Sequence, residues 1–170
     1  LNRPILKRRA AKRAGPAKER TAKPIDSSPC DRCPLNKNPR VPPTLPAEME
    51  LLAIGLAPGG HEEDQGRPFV GPSGNLLRSA LAEADFRVDR VGFANLTRCR
   101  PPNDDFESSD WIQAEKLCWQ YLAADLAKHQ QVPIVLLGSG PVKRFLNDKS
   151  ERVTRHRGLW IPTEQGRRAF

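Results

Sequence analysis

The stretch "MELLAIGLAPGGHEEDQGRPFVGPSGNLLRSALAEADF" (residues 49–86) decides how the rest of the chain is read. Residues 49–57 form a short apolar run closed by turn formers, which reads as a buried strand. Residues 73–86 read as a helix. Leu76, Leu77, Ala80, Leu81 and Ala84 fall on one face, and Ser73 is the candidate N-cap. The connection between them, 57–72, reads as a loop. Residues 57–74 hold five glycines and three prolines around three acids and a single phenylalanine. A tight connection needs one or two glycines, so five suggest backbone passing close to something.

Outward from this unit the alternation continues. Residues 90–97 read as a second strand and 99–109 as a loop rich in breakers. Residues 110–129 read as a long helix with Trp111, Cys118, Leu122 and Leu126 along one stripe and Asp110 as its cap. The almost wholly apolar run 132–140 reads as a central parallel strand, followed by a helix over 141–147 with Pro141 in its first turn. A short strand is expected within 157–162. The class is therefore α/β: three layers, α/β/α, around a mostly parallel four-stranded sheet whose last strand is truncated. Sites in such sheets form beyond the carboxyl ends of the strands, here the loops 57–72, 97–109 and 138–141.

The 170 residues suffice for one ordinary domain, expected over 25–170. No run approaches the ~20 apolar residues of a membrane span. The net charge of +8 resides entirely in residues 1–24, which carry nine Lys/Arg and one acid, Glu19. That basic, aromatic-free arm is expected to be disordered alone. It suits a tail that contacts nucleic-acid phosphates, and equally a solubilising leader or a transit peptide. The chain begins at Leu1, so a longer parent chain is expected.

Cys30 and Cys33 are separated by two residues, then 65 residues lead to Cys99 and 18 more to Cys118. A disulfide framework suits small secreted proteins, and no signal peptide is evident. Paired zinc knuckles would need a second close pair. Four thiolates from separate segments could enclose one iron–sulfur cluster, and Pro34 after Cys33 suits a cluster loop. Spacing alone leaves cluster and zinc open, with Cys118 also readable as plain core.

"GLAPGGHEEDQGRPFVGPSGNLL" (55–77), "FANLTRCRPPND" (93–104) and the four-cysteine frame together resemble the iron–sulfur-containing uracil-DNA glycosylases, the thermophile-type families four and five of their superfamily. The resemblance runs in order from residue 30 to about residue 160. It implies a structural [4Fe-4S] cluster on Cys30, Cys33, Cys99 and Cys118. It implies that Phe69 stacks on a flipped-out uracil and that Asn95 reads its polar edge. The turn from Gly55 through Ala57 and Pro58 to Gly59 would hold the catalytic water and the sugar, with Glu62 matching a family acid near the pocket. The implied protein is a DNA-repair hydrolase leaving abasic sites, monomeric, cytoplasmic in a prokaryotic or phage setting, with uracil-containing DNA as substrate and a sliding clamp as a candidate partner.

Residue chemistry agrees with those roles. A base inside a duplex is unreachable and must leave the stack, at a cost of roughly a few kcal/mol. An aromatic face offsets part of it. One amide can donate to one uracil atom and accept from its neighbour, whereas cytosine presents the opposite pattern.

Two departures stand out. Leu56 replaces the glutamate that usually follows the motif's first glycine in family four, which is the pattern of the broader family five. A His-Pro-Ser or His-Pro-Ala motif is expected after the last strand, and His61, His129 and His156 do not lie in one. The competing expectation is a catalytically impaired or truncated DNA-binding iron–sulfur protein of the same superfamily.

Overall fold

A computed structural model of the chain describes residues 28–146, 161–162 and 168–169. The basic arm, the 152–158 segment with His156, and most of the expected 157–162 strand lie outside the described residues.

Three strands form the centre: β1 (Leu51–Gly55), β2 (Val91–Asn95) and β3 (Ile134–Leu136). β1 pairs in parallel with both neighbours. Alternate β1 side chains face opposite layers, as strand geometry requires. Leu52 and Ile54 pack with Leu122 and Leu126 of α4 (Ser109–Lys128) and with Val142 and Phe145 of α5 (Ser139–Leu146). Leu51 and Ala53 pack with Val91, Phe93 and Leu81 of α3 (Pro72–Glu83). The α/β class and the three layers are as expected. Truncating Ile54 or Phe145, both fully buried, would cost about 2–5 kcal/mol each.

The far side of the sheet differs from expectation. Two short strands follow β3, giving the order β2-β1-β3-β5-β4 and five strands, not four. β4 (Ile161–Pro162) lies within the expected 157–162 strand, but it is the antiparallel edge. The strand beside β3 is β5 (Arg168–Ala169), running parallel to it. Apolar runs as short as these carry too little period for their order to be read in advance.

Helix starts also shift. α3 begins at Pro72, with Gly71 in extended conformation as its N-cap in place of Ser73. α4 is capped by Ser108, whose Oγ accepts from Trp111 N at 3.2 Å, and not by Asp110. α5 begins at Ser139, two residues before Pro141. α3 is rotated as well: Gly74 and Leu81 are buried and Leu77 and Arg78 half-buried, whereas Leu76 is 73% exposed and Ala80 and Ala84 are exposed. The cause is Gly74. A β-carbon there would fall within 3 Å of the Phe69 backbone, so the glycine must face that turn and it sets the helix's rotation.

Within the expected 57–72 loop lies a six-residue helix, α2 (Gly60–Gln65). Glu62, its third residue, reaches back to the N-cap Gly59, and Gly66 ends it at φ 63°. This is the cap-and-stop pattern of a short helix.

Candidate active site

The parallel register sets Gly55 beside Asn95 at the carboxyl ends of β1 and β2. A β-carbon on Gly55 would stand 2.5 Å from Asn95 Oδ1 and 2.8 Å from Phe69 Cζ. Three of the expected site residues thus meet at the strand ends, where only a residue without a side chain fits beside the Asn95 amide and the Phe69 ring. Asn95 is only part-buried.

Phe69 lies in the left-handed region, φ 56°, which costs a bulky residue roughly 1–3 kcal/mol. Its ring stands 5.7 Å from the Phe93 ring, tilted by 44°. The ring is half-exposed and borders the core without being enclosed by it.

Glu62 fixes the loop. One carboxylate oxygen accepts from Gly59 N at 3.0 Å and the other from Gly71 N at 2.9 Å. Gly71 caps α3, so one side chain joins the turn after β1 to the helix after the loop. Both of its oxygens are engaged inside the loop, where they hold the frame. Pro58 is buried under the turn and Ala57 packs toward Trp111 and Leu35. Leu56 points toward Gly140 in the first turn of α5, where a β-carbon would meet its Cδ1 at 2.5 Å. An apolar plug therefore occupies that position. Glu63 pairs with Arg100 at 3.5 Å, tying α2 to the loop after β2.

Some 65 residues apart in sequence, the cysteines meet. Cys30, Cys33, Cys99 and Cys118 line one partly open cleft, together with Leu35 and Tyr121. The cleft joins α1 (Ser28–Asp31), the turn after it, the loop after β2, and α4. Burial, then the neighbouring Cys118 and Cys33 sulfurs, push the Cys99 thiol up to about 11. Burial raises Cys33 and Cys118 as well. Four thiolates could not share this cleft without compensating positive charge. Arg98 stands nearby, pairing with Asp125 at 2.9 Å and lying 5.0 Å from the Tyr121 ring. Among the described residues, no three His, Cys, Asp or Glu side chains are grouped closely enough to hold one metal ion.

Gly55, Asn95 and the glycine-rich loop thus lie beyond the carboxyl ends of two adjacent parallel strands, where α/β sheets place their ligand sites. Residues 42–169 match the uracil DNA glycosylase superfamily, and the chain belongs to it. Its relatives include type-4 uracil-DNA glycosylases. That of Pyrobaculum aerophilum is 35% identical over 111 residues, 64% of this chain and 55% of the relative. That of Thermotoga maritima is 31% identical over 131 residues, 76% and 67% respectively. That of Archaeoglobus fulgidus is 36% identical over 111 residues, 64% and 54%. The chain thus spans about half to two thirds of the relatives' lengths. None of the helices among the described residues is long and apolar enough to cross a membrane.

Sequence reasoning missed Arg78, and named Glu62 without its clamping contacts. Arg78 escaped because a cation on a buried helix stripe contradicts amphipathic patterning. Glu62 as a clamp was within reach, since G-x-x-E before a helix is a capping signal.

Proposed function

We propose that the protein is a monofunctional uracil-DNA glycosylase, hydrolysing the bond between uracil and deoxyribose in DNA to leave an abasic site. The observation that carries this reading is the convergence of Phe69, Asn95 and the bare Gly55 on one crevice. A flat base fits against the Phe69 face, with its donor–acceptor edge toward the Asn95 amide. Water adds to the sugar C1′ as the C1′–N1 bond breaks through an oxocarbenium-like state. The bonding pair leaves on uracil, whose developing negative charge Asn95 and the backbone dipoles of the 55–59 turn stabilise. The water's proton passes to solvent or to the departing base. Ala57, Pro58 and Gly59 shape the water and sugar side of the crevice, and Glu62 keeps their turn in place. No lysine nucleophile is invoked, so strand cleavage is not expected. With Leu56 as an apolar plug, deaminated bases other than uracil are further candidate substrates.

We further propose that the four cysteines, gathered on one cleft from separate segments, are ligands of a [4Fe-4S] cluster. Cys30, Cys33, Cys99 and Cys118 would hold the cluster, and its contribution when bound is structural and electrostatic. The protein's own residues do the rest: Leu35 shields the cleft and Tyr121 closes one wall. The basic arm would add phosphate contacts. The proposed setting is the cytoplasm and the proposed state a monomer on DNA, with a sliding clamp as a further proposed partner.

The test is base release from a uracil-containing single-stranded oligonucleotide, read as alkali-labile sites. Cleavable abasic sites are expected with uracil and none with thymine. Absence of release, with tight binding of the same oligonucleotide, would instead favour the DNA-binding reading.

A further inference from the structure

We propose that Arg78 is a positioning residue that holds the Phe69 platform in its strained pose. The inference rests on the nucleobase crevice described above and deepens it.

Arg78 sits on the buried stripe of α3, one turn beyond Gly74. Its Nε donates to the Phe69 carbonyl oxygen at 3.4 Å, and its Cζ lies 4.1 Å from the centroid of the Phe93 ring. Phe93 is the ring against which Phe69 leans. One guanidinium therefore touches both the backbone of the platform and the ring behind it.

The arrangement needs a reason, because it is expensive. Among the described residues no carboxylate pairs with Arg78, and the nearest charge affecting it is another cation, Arg67. Burial and that neighbour both disfavour its charge. A methionine or leucine at this stripe position would pack on Phe93 without the penalty. What an apolar residue could not do is bind the Phe69 carbonyl.

That carbonyl matters because of φ 56° at Phe69. Left to itself, a phenylalanine relaxes to negative φ, swinging its Cα–Cβ bond and the ring plane away from Asn95. Gly74 leaves room for the turn to approach the helix. The hydrogen bond then fixes the peptide after Phe69, and cation–π contact keeps Phe93 from rotating beneath it. Arg78 acts through Phe69 and has no assigned contact with the base.

The experiment is a double-mutant cycle with R78M, F69A and the pair, on the metal-loaded full chain and a uracil-containing oligonucleotide. R78M should raise KM about 5–10-fold with kcat within about twofold, because a displaced platform weakens ground and transition states alike. In the F69A background the same substitution should change KM by less than about twofold, since there is no ring left to position. R78K, which keeps a donor and a cation over Phe93, should recover most of the loss. Losses that add in full, or an R78M variant equal to wild type, would overturn the proposal. A second readout needs no activity. The ring ¹³C–¹H signals of Phe69 should move in R78M while the Trp111 signals beside the cysteine cleft stay fixed. Unmoved Phe69 signals would also overturn it. A wild-type chain inert on uracil, with Phe69 signals that still respond to R78M, would refute the glycosylase reading and leave the positioning role standing.

Discussion

The base crevice and the cysteine cleft are built in opposite ways. The crevice is assembled by elements that fold for their own reasons: two adjacent parallel strands, a capped short helix, and a glycine that seats the loop on α3. Its side chains are already engaged. Glu62 spans two backbone donors, Arg78 holds a carbonyl, and Phe69 leans on Phe93. The cleft brings together a four-residue helix, a loop and one long helix, and its four thiols face one another, with burial raising three of them and Arg40, Arg98 and Tyr121 along its lining. The first region is held by hydrogen bonds within the chain, whereas the second is the place for the proposed cluster.

That contrast can be broken or sharpened by substitution, and the largest effect belongs to the cleft. Cys99→Ala should lose iron and soluble protein together, measured by metal analysis and yield; retained iron would remove Cys99 from the ligand set. In the crevice the damage should be chemical and leave the fold intact. Asn95→Ala should slow base release by about 10²–10³-fold, as removal of a charge-stabilising donor does, with iron content and melting temperature unchanged. An unchanged rate would refute its role. Phe69→Ala should weaken binding of the flipped base by ~1–3 kcal/mol in a titration with a non-cleavable uracil oligonucleotide. Glu62→Gln keeps one acceptor and loses the charge, so about tenfold lower kcat/KM with normal iron is expected if the clamp positions the 55–59 turn. Loss of iron in this variant would mean that the two regions are not independent. The smallest effect is expected from deleting residues 1–24: a shallower dependence of DNA affinity on salt, with base release at low salt unchanged. An unchanged slope would make the arm a bystander.

Much of the crevice was legible in the sequence. The apolar run 49–57 and the strand at 90–97 gave neighbouring parallel strands, and their carboxyl ends put Gly55 and Asn95 together. The excess of glycine in residues 57–74 foretold close backbone approach, which Gly74 makes against the Phe69 turn. What escaped was set by tertiary contact. The rotation of α3 follows from the Phe69 turn pressing on Gly74, so of the stripe read from Leu76, Leu77, Ala80, Leu81 and Ala84 only Leu77 and Leu81 face inward, joined by Gly74 and Arg78. The sheet's far side was misjudged because two-residue strands have no period to read. The short helix at Gly60–Gln65 was hidden among glycines that usually signal loops, although its cap residues were in view. The cysteines' convergence could not follow from their spacing, since 65 intervening residues place no limit on where a chain returns.

The most direct test is a crystal structure of the protein with a single-stranded oligonucleotide carrying 2′-fluoro-2′-deoxyuridine, whose glycosidic bond resists cleavage. The expected density shows uracil flat against the ring of Phe69, its polar edge on the Asn95 amide and its sugar over the 55–59 turn. A crevice closed by the protein's own side chains, with the base bound elsewhere or left in solvent, would contradict the account.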